Sequence, residues 1–582
     1  MERLAKAALD AVRNGEVKIR PESAEKDFFR WLENINDWCL SRQLWWGHQI
    51  AAYYVAIDGE PDNDSDGERW VTGRTLQEAE EKAQKKFSGV KYALKRDEDV
   101  LDTWFSAGLW PISTLDWPNT GDDFKMLYPQ SLLETGWDIL FFWVARMIML
   151  GIKFTGKVPF TEVFCHPLIR DSEGRKMSKS LGNVIDPMDI MSGIPLQALH
   201  DKLLAGNLDQ KEVANATKYQ KTAFPQGLPE CGADALRFSL VNYIAPNGED
   251  INFDINVMHG FRKFCNKIYQ ATKYVLGNLD ESFKPAVKAA VSRRESLAEK
   301  WILHNMTMAA ERINQSITNR EFQKATQTAY QFWYSQLCDV FIENSKFIIS
   351  EGSADEQESA KQTLYTALET ALRMIHPFMP FLSEELWQRL PRRPEDKTPS
   401  ICVARFPTYD KNLDDPASQR AYELILDVTQ GIRSLMSQYA LKENGKLYVR
   451  LTSDTAYSTC KGEMISIHSL SGKRIESINL LSSNDAKPSG CVPAAINEEA
   501  TVFLLLKGQV DIDGEIEKAR KKLEGANKIV EKQQKILNND VFATKVGQEL
   551  QEVERKRLRD AEKEVEELQG SIEGFEMMKL EE

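Results

Sequence analysis

The sequence predicts a multidomain protein built from an α/β sheet domain, an α-helical bundle, a small α+β unit and a C-terminal antiparallel coiled coil. Three observations carry this reading. Residues 99–190 alternate apolar strand-like runs with one strong helical run, 137–150, which is the rhythm of an α/β sheet. From about residue 259 the apolar spacing lengthens into helices over 260–276, 297–317, 321–349 and 356–390, the last passing through Pro377 and Pro380. Near the end, Ile512, Ile516, Ala519, Leu523, Ala526 and Val530 alternate steps of four and three, as do Leu558, Ala561, Val565, Leu568, Ile572 and Phe575, so each set forms a coiled-coil seam.

Bulk properties agree with several separate cores. At 582 residues with 42% apolar side chains, the chain is long enough for three or four domains. No run approaches the ~20 apolar residues that span a bilayer, and the greasiest stretch, 141–150, is interrupted by Arg146, so no membrane partner is expected. The start, Met1-Glu2-Arg3-Leu4-Ala5-Lys6, leads into an acid-containing amphipathic pattern without the apolar core of a secretory signal, and a cytoplasmic location is expected. Eight cysteines stand singly, without the spacing of a zinc knuckle or redox pair, and read as reduced, mostly buried thiols; no metal site is assigned to protein side chains. A net charge of −13 repels a phosphate backbone overall, so a nucleic-acid partner must meet local basic patches.

In chain order, residues 1–36 read as a helix followed by an aromatic-rich stretch with Phe28, Phe29 and Trp31. β-like text at 53–57 gives way to the loop Asp62-Asn63-Asp64-Ser65-Asp66-Gly67, which has the composition of a calcium loop but lacks its closing Glu and reads as a solvated turn. Short β-branched segments at 447–452 and 500–506, with Gly, Ser and Pro between them, fit a small α+β unit. Asn538-Asn539-Asp540 and Gly547 interrupt the two terminal seams, so the helices are expected to fold back on each other. Fourteen basic and nineteen acidic residues leave 511–582 at −5, yet its cations cluster as Lys518, Arg520, Lys521 and Lys522 and as Arg555, Lys556, Arg557 and Arg559.

The segment that carries chemistry is Lys176-Met177-Ser178-Lys179-Ser180, which follows the turn Asp171-Ser172-Glu173-Gly174-Arg175 after a strand at 164–169. A fixed five-residue word arises by chance in a chain this long about once in several thousand sequences. When a carboxylate attacks the α-phosphorus of ATP, negative charge grows on the departing pyrophosphate, and a mobile loop with two cations follows that charge into the transition state. Lys176 and Lys179 supply the cations, Ser178 and Ser180 supply hydrogen-bond donors, and Gly174 and Gly182 on either side let the loop move. A generic Lys/Ser loop is more often a solvated basic turn; the word itself favours chemistry here.

Lys176-Met177-Ser178-Lys179-Ser180 is the second signature of class I aminoacyl-tRNA synthetases. Flanking segments narrow the resemblance: Trp38-Cys39-Leu40-Ser41-Arg42-Gln43-Leu44-Trp45-Trp46-Gly47-His48, Asp99-Val100-Leu101-Asp102-Thr103-Trp104-Phe105-Ser106, Gly136-Trp137-Asp138-Ile139-Leu140-Phe141-Phe142-Trp143-Val144-Ala145-Arg146 and Phe261-Arg262-Lys263-Phe264. In this order they resemble valyl-tRNA synthetase, and the insert running to Phe224-Pro225 and Pro229-Glu230-Cys231-Gly232-Ala233-Asp234 is similar to the eukaryotic cytosolic branch. Ala107 stands where the family usually has Ser. The family's first signature, His-x-Gly-His, occurs nowhere in this sequence; Gly47-His48 follows Trp45-Trp46 and matches a later segment. The expectation is an N-terminally truncated member that is inactive alone.

The resemblance implies a domain order. Residues 1–98 would be the return segment of the inserted editing region, 99–190 the second half of a Rossmann-like nucleotide-binding catalytic domain, and 191–258 a connecting stem-contact segment. Residues 259–405 would be a helical anticodon-binding domain, 406–510 a linker domain and 511–582 a coiled-coil tRNA-binding arm. It also implies roles. Gly136 and Asp138 would hold the ribose, His166 and Ile169 would lie near the adenine, and Met177, Ser178 and Ser180 would complete the nucleotide contacts of the signature loop. Trp104, Ile139 and Trp143 would wall a pocket for valine, whose branched aliphatic side chain must be read by rigid apolar surfaces. Read alone, Asp138 is equally a helix N-terminal acid, and Trp143 is core packing. The implied activity is joining valine to tRNA(Val) through a valyl-adenylate, with ATP and Mg²⁺, by a monomer. The rivals are a non-catalytic tRNA-binding protein derived from a synthetase and an isoleucyl-tRNA synthetase.

Overall fold

Three short parallel strands and the helices packed on them position the chemistry. The computed structural model describes the chain except for residues 63–66, 179–180, 207, 246–247, 249, 288–294, 440, 442–443, 473, 487, 507–511, 539–547 and 581–582. The chain divides into two compact units, one comprising Met1–Cys231, Ser239–Met258 and Thr318–Gln323 and the other Gly232–Phe238, His259–Ile317 and Lys324–Glu582.

In the first unit, helix α1 (Glu2–Arg13) buries Ala5, Ala8, Leu9 and Val12 on one face, as its apolar spacing requires. Strand β1 (Lys18–Arg20) and helix α2 (Glu22–Glu33) follow. Strands β2 (Leu133–Gly136) and β3 (Glu162–His166) complete a sheet in the order β1-β3-β2. All its pairings are parallel, with Ile19 opposite Val163, and Thr135 opposite Cys165. The central strand is the most apolar, with Val163, Phe164 and Cys165 buried, as a strand covered on both faces must be. Ala8, Phe28, Leu32, Val144, Ile148, Phe160 and Val163 share one core.

Two expectations change here. Residues 1–98 do not form one segment: β1 belongs to the parallel sheet, because Lys18–Arg20 pairs with Glu162–Phe164 some 140 residues later. Only 52–96 makes a separate layer, an antiparallel sheet of Trp70–Thr72, Ala52–Ile57 and Tyr92–Arg96 backed by the helix Leu76–Lys86. The helix expected at 137–150 is a 3₁₀ turn (Trp137–Ile139), then a π turn (Leu140–Val144), then an α-helix running to Thr155, where Gly156 takes a left-handed φ of 73° as its cap. Four of the six residues of the acidic loop, 63–66, lie outside the described residues; Asp62 pairs with Lys95 at 2.7 Å.

The second unit is helical at first. Ile255–Asn278 enters it, and Leu297–Thr318 buries Trp301, Ile302, Met306 and Ile313. The helix expected over 321–349 is present as Phe322–Gln331, a π stretch Phe332–Ile342 and Glu343–Glu351. The single helix expected over 356–390 is two, Ala354–Ile375 and Pro380–Gln388, because a proline has no N–H to continue the ladder. His376 turns this corner, its Nδ1 2.7 Å from Ser383 Oγ. Helix Pro416–Gln438, with Asp415 as its N-cap, leads to a four-stranded sheet in the order Ile475–Leu481, Gly445–Leu451, Ala500–Leu505, Cys491–Ala495. Helix and sheet are thus mixed in this part of the chain. Two long helices, Ile512–Leu537 and Gln548–Leu580, end the chain. Ile512, Ile516, Ala519 and Ala526 on the first, and Ala561, Ile572 and Phe575 on the second, are buried. The ion pairs Asp513–Lys579 and Arg520–Glu576 join the start of one to the end of the other, so the two run antiparallel. Most of the turn expected between them lies in 539–547, outside the described residues.

No helix among the described residues is long and apolar enough to cross a membrane. Of the eight cysteines all but Cys39 and Cys402 are buried, and burial pushes the Cys165 thiol up to about 12.

Candidate active site

In a parallel sheet, ligands collect in the crevice outside the carboxyl ends of the strands. Strands β2 and β3 end side by side there, with Gly136 in register with His166. A Cβ on Gly136 would stand 2.7 Å from Asp138 Oδ1, so a larger residue would make that carboxylate shift, while His166 Cε1 at 3.7 Å would be in ordinary contact. The sheet thus gathers Gly136, Asp138 and His166. Asp138 sits exposed in the 3₁₀ turn as its first-turn acid, and its side chain makes no cap hydrogen bond there, so its place suits both a helix N-terminal acid and a ribose contact. The His166 ring is held with Nδ1 2.9 Å from the Pro167 carbonyl and Nε2 3.3 Å from Glu134 Oε1. Ile169, on the next strand (Ile169–Arg170), is 41% exposed.

Sequence reasoning did not find Asp250, which braces this edge. It accepts hydrogen bonds from Trp137 Nε1 at 3.0 Å, from the Leu168 amide at 3.1 Å and from Arg170 Nε. Burial alone would raise its pKa, but the donors from Trp137, Arg170 and Leu168 together hold it below the usual carboxylate range.

A cavity of about 810 Å³ opens beside Asp138, lined by Trp31, Trp38, Trp137, Phe141, Phe142 and Arg146 among others. Neither Trp104, Ile139 nor Trp143 lines it. Trp104 stacks on the cavity residue Phe142, with ring centroids 5.7 Å apart, and Trp143 Nε1 donates to the Ala107 carbonyl at 2.9 Å, on the helix Thr103–Gly108 that carries Trp104. These two expected wall residues therefore meet through one helix, and since the bond uses the Ala107 backbone, a serine there would make it equally. Ile139 is half-buried in the 3₁₀ turn. The buried Asp102, also missed, accepts from Trp38 Nε1 at 2.7 Å and Arg42 Nη2 at 2.8 Å, and Arg146 lies over the Trp38 ring at 3.9 Å.

The signature loop leaves the strand Ile169–Arg170 and is closed by a polar clasp. Asp171 accepts from the amides of Glu173 and Arg175, from Arg175 Nε at 2.9 Å and from Asn183 Nδ2 at 3.0 Å. Asn183 also reaches the Lys176 carbonyl, at 3.3 Å, and accepts from the Ser178 amide at 2.8 Å. Lys176, Met177 and Ser178 are thus fixed in the loop's first arm; Lys179 and Ser180 lie outside the described residues. The two flanking glycines, expected to let the loop move, also meet a backbone need. Both have left-handed φ, and a Cβ on Gly182 would meet the Ala216 Cβ at 2.5 Å, so Gly182 serves close packing. Among the described residues no group of three or more His, Cys, Asp or Glu could hold a metal ion.

The parallel strands ending at Gly136 and His166 and the clasped residues 176–178 lie in a region that comparison matches to a class I synthetase: the family "tRNA synthetases class I (I, L, M and V)" matches residues 1–254, "Anticodon-binding domain of tRNA ligase" matches 299–451, and "Valyl tRNA synthetase tRNA binding arm" matches 511–576. Over 577 residues, 99% of this chain, it is 50% identical to the mitochondrial valine–tRNA ligase of Saccharomyces cerevisiae, and over 582 residues, again 99%, it is 42% identical to the valine–tRNA ligase of Homo sapiens. Over 99% of its length the chain is similar to these valine–tRNA ligases, and it carries the class I synthetase, anticodon-binding and valyl arm regions. It spans 52% of the yeast relative and 46% of the human one, about half of each. A methionyl-tRNA synthetase structure from Mycobacterium tuberculosis overlaps 70% of this chain and 65% of its own at 15% identity, with a TM-score of 0.45.

Proposed function

We propose that this chain carries the signature-loop half of a valine–tRNA ligase, which activates valine with ATP to valyl-adenylate and transfers it to tRNA(Val). The single observation that supports this best is the meeting of Gly136, Asp138 and His166 at the strand ends, where a side chain at Gly136 would displace the Asp138 carboxylate. Asp138 accepts the two ribose hydroxyls of the adenylate, Gly136 lets the nucleotide approach the backbone, and His166 and Ile169 flank the adenine. Lys176 and Lys179 stabilise the departing pyrophosphate, with Met177, Ser178 and Ser180 completing the loop's contacts to the nucleotide. Trp104, Ile139 and Trp143 form the apolar wall for valine, presented through the helix Thr103–Gly108 and the turn at Trp137–Ile139.

Mg²⁺ would be carried in on the nucleotide, held by its phosphates, and would neutralise their charge. The bundle reads the anticodon region, the terminal helix pair is an antiparallel coiled coil that leans on tRNA, and the protein works as a cytoplasmic monomer.

Titration with ATP tests the carrying observation. Gly136→Ala pushes a methyl group against Asp138 and should weaken ATP binding about tenfold, the equivalent of one charge-assisted hydrogen bond, with unchanged melting. Unchanged ATP affinity in that variant would refute the ribose assignment. In the longest protein that contains this chain, Lys179→Ala should lower kcat for valine activation and leave the valine KM near its original value, because the charge it meets develops only in the transition state. A raised KM with normal kcat would refute the role given to the loop.

A further inference from the structure

Helix Gln210–Ala223 lies in the insert that follows the signature loop, and none of the roles above uses it. It is built to stand firmly. Asp209 and Glu212 form a capping box, each side chain bonded to the other's backbone amide, and the helix packs against Leu196–Leu204. Ala216, Tyr219 and Gln220 follow at spacings of three and four and so share one face. All three meet the signature loop. Ala216 is fully buried against Gly182, near enough that a Cβ there would overlap its Cα at 2.7 Å as well as its Cβ. Gln220 is buried, and its Nε2 donates to the Gly182 carbonyl at 3.4 Å. Tyr219 presents its ring to Arg175, whose guanidinium carbon lies 5.0 Å from the ring centroid, and Phe224 packs edge-on against that ring.

The two contact points are the loop's two ends. Arg175 immediately precedes Lys176, and Gly182 immediately precedes Asn183, which closes the clasp. With the loop held at both ends by one helix, the position of Lys176 is set by where that helix stands.

We infer that the helix Gln210–Ala223 is the seat of the signature loop, and that Ala216, Tyr219 and Gln220 are positioning residues that aim Lys176 at the phosphates. This rests on the phosphate-binding reading of the loop given above. The seat itself is a separate physical statement and can fail separately.

Two measurements on the full chain distinguish them: amide hydrogen exchange across 174–178 and 181–183, and titration with inorganic pyrophosphate. Tyr219→Leu keeps apolar volume but has no π face, and Tyr219→Phe keeps the ring. We expect exchange to quicken about threefold in Tyr219→Leu and about tenfold in Tyr219→Leu/Gln220→Ala, with pyrophosphate affinity falling by similar factors, and Tyr219→Phe, which keeps the ring and loses only the hydroxyl beside Arg175, to lie between Tyr219→Leu and the original protein. Gly182→Ala disturbs the same contact from the loop side and should quicken exchange with the helix sequence intact, which guards against a helix variant that fails to fold. Unchanged exchange in the folded double variant and in Gly182→Ala would overturn the seat. Quickened exchange with unchanged pyrophosphate affinity would overturn the positioning role. If the original protein binds no pyrophosphate while the variants still release the loop, the seat stands and the phosphate reading falls.

Discussion

Asn183 donates to Asp171 across twelve residues at 3.0 Å, and the side chains are 0% and 3% exposed respectively, so the neck of the signature loop is a buried polar contact with no water to replace it. Removing one partner of such a contact leaves the other unsatisfied, which costs about 1–3 kcal/mol. Asn183→Ala also strips the Ser178 amide of its acceptor and the Lys176 carbonyl of a donor. We expect the local opening free energy at 174–178, read from amide exchange, to fall by about that amount while helices far from the loop exchange as before. Uniform loss across the whole unit would show that the contact supports the fold and not the loop.

The same contact makes the loop sensitive to acid. Burial raises the pKa of Asp171, but Asn183, the Arg175 amide and the Arg175 guanidinium outweigh it and hold the carboxyl below its ordinary value. A group depressed on folding contributes stability that is present above its unfolded pKa and lost as pH falls through the folded one. The clasp should therefore stay closed at pH 5 and open progressively below the ordinary aspartate range. Exchange at 174–178 measured at pH 5 and at pH 3 checks this; Asp171→Asn should flatten the difference. An opening step centred near pH 6 to 7 would assign the switch to another group.

What the sequence revealed about this site depended on distance along the chain. Lys176-Met177-Ser178 was readable because a fixed word carries its meaning locally, and the long helices were readable because periodicity accumulates over several turns. Asp102, Asp171, Asn183 and Asp250 were not, since each is a single polar residue whose significance lies in a partner. For Asp250 those partners, Leu168 and Arg170, are 82 and 80 residues away. Strand Lys18–Arg20 is three residues long, too short to show alternation, and its neighbour lies beyond residue 160. Helix Pro416–Gln438 was legible in principle, with Asp415 and Pro416 as its cap and first position, but the β-branched text after it dominated the reading of 406–510.

Glu162 at the start of β3 joins Arg20 on β1, at 2.9 Å, to Arg320, at 3.0 Å, and all three side chains are less than a third exposed. Removing the shared carboxylate leaves two guanidinium groups facing each other. A fully buried pair broken this way costs about 3–5 kcal/mol; with residual solvent screening we expect Glu162→Ala to lose about 1–3 kcal/mol. Glu162→Gln should lose less, because it keeps one acceptor. Urea unfolding of the two variants, followed by Trp fluorescence, measures both values, and an Ala variant as stable as the original would show that solvent already satisfies the arginines.

The terminal helices offer eight clustered cations, but at least five of them already have an acid within reach: Arg520 with Glu576, Lys521 with Glu517, Arg555 and Arg559 with Glu552, and Arg557 with Glu554. Each phosphate contact adds ~0.9 or less to the slope of log affinity against log salt, so eight unencumbered cations would contribute roughly 7. A cation that must first leave a carboxylate gives back part of that gain. If this arm meets tRNA, deleting 511–582 should weaken tRNA binding and lower the slope by about 1–3, well short of the full count. If instead the seam from Ile512 to Phe575 pairs with a second copy, the deletion should convert a dimer to a monomer and leave the slope alone. The structure supplies a reason to expect the first result: Ile512, Ile516, Ala519 and Ala526 are already buried within one chain, together with Ala561, Ile572 and Phe575, so little of the seam is left to pair with another. A salt titration of tRNA binding and a sedimentation run on the intact and deleted chains decide between them, and a dimer whose slope survives the deletion would refute the arm assignment.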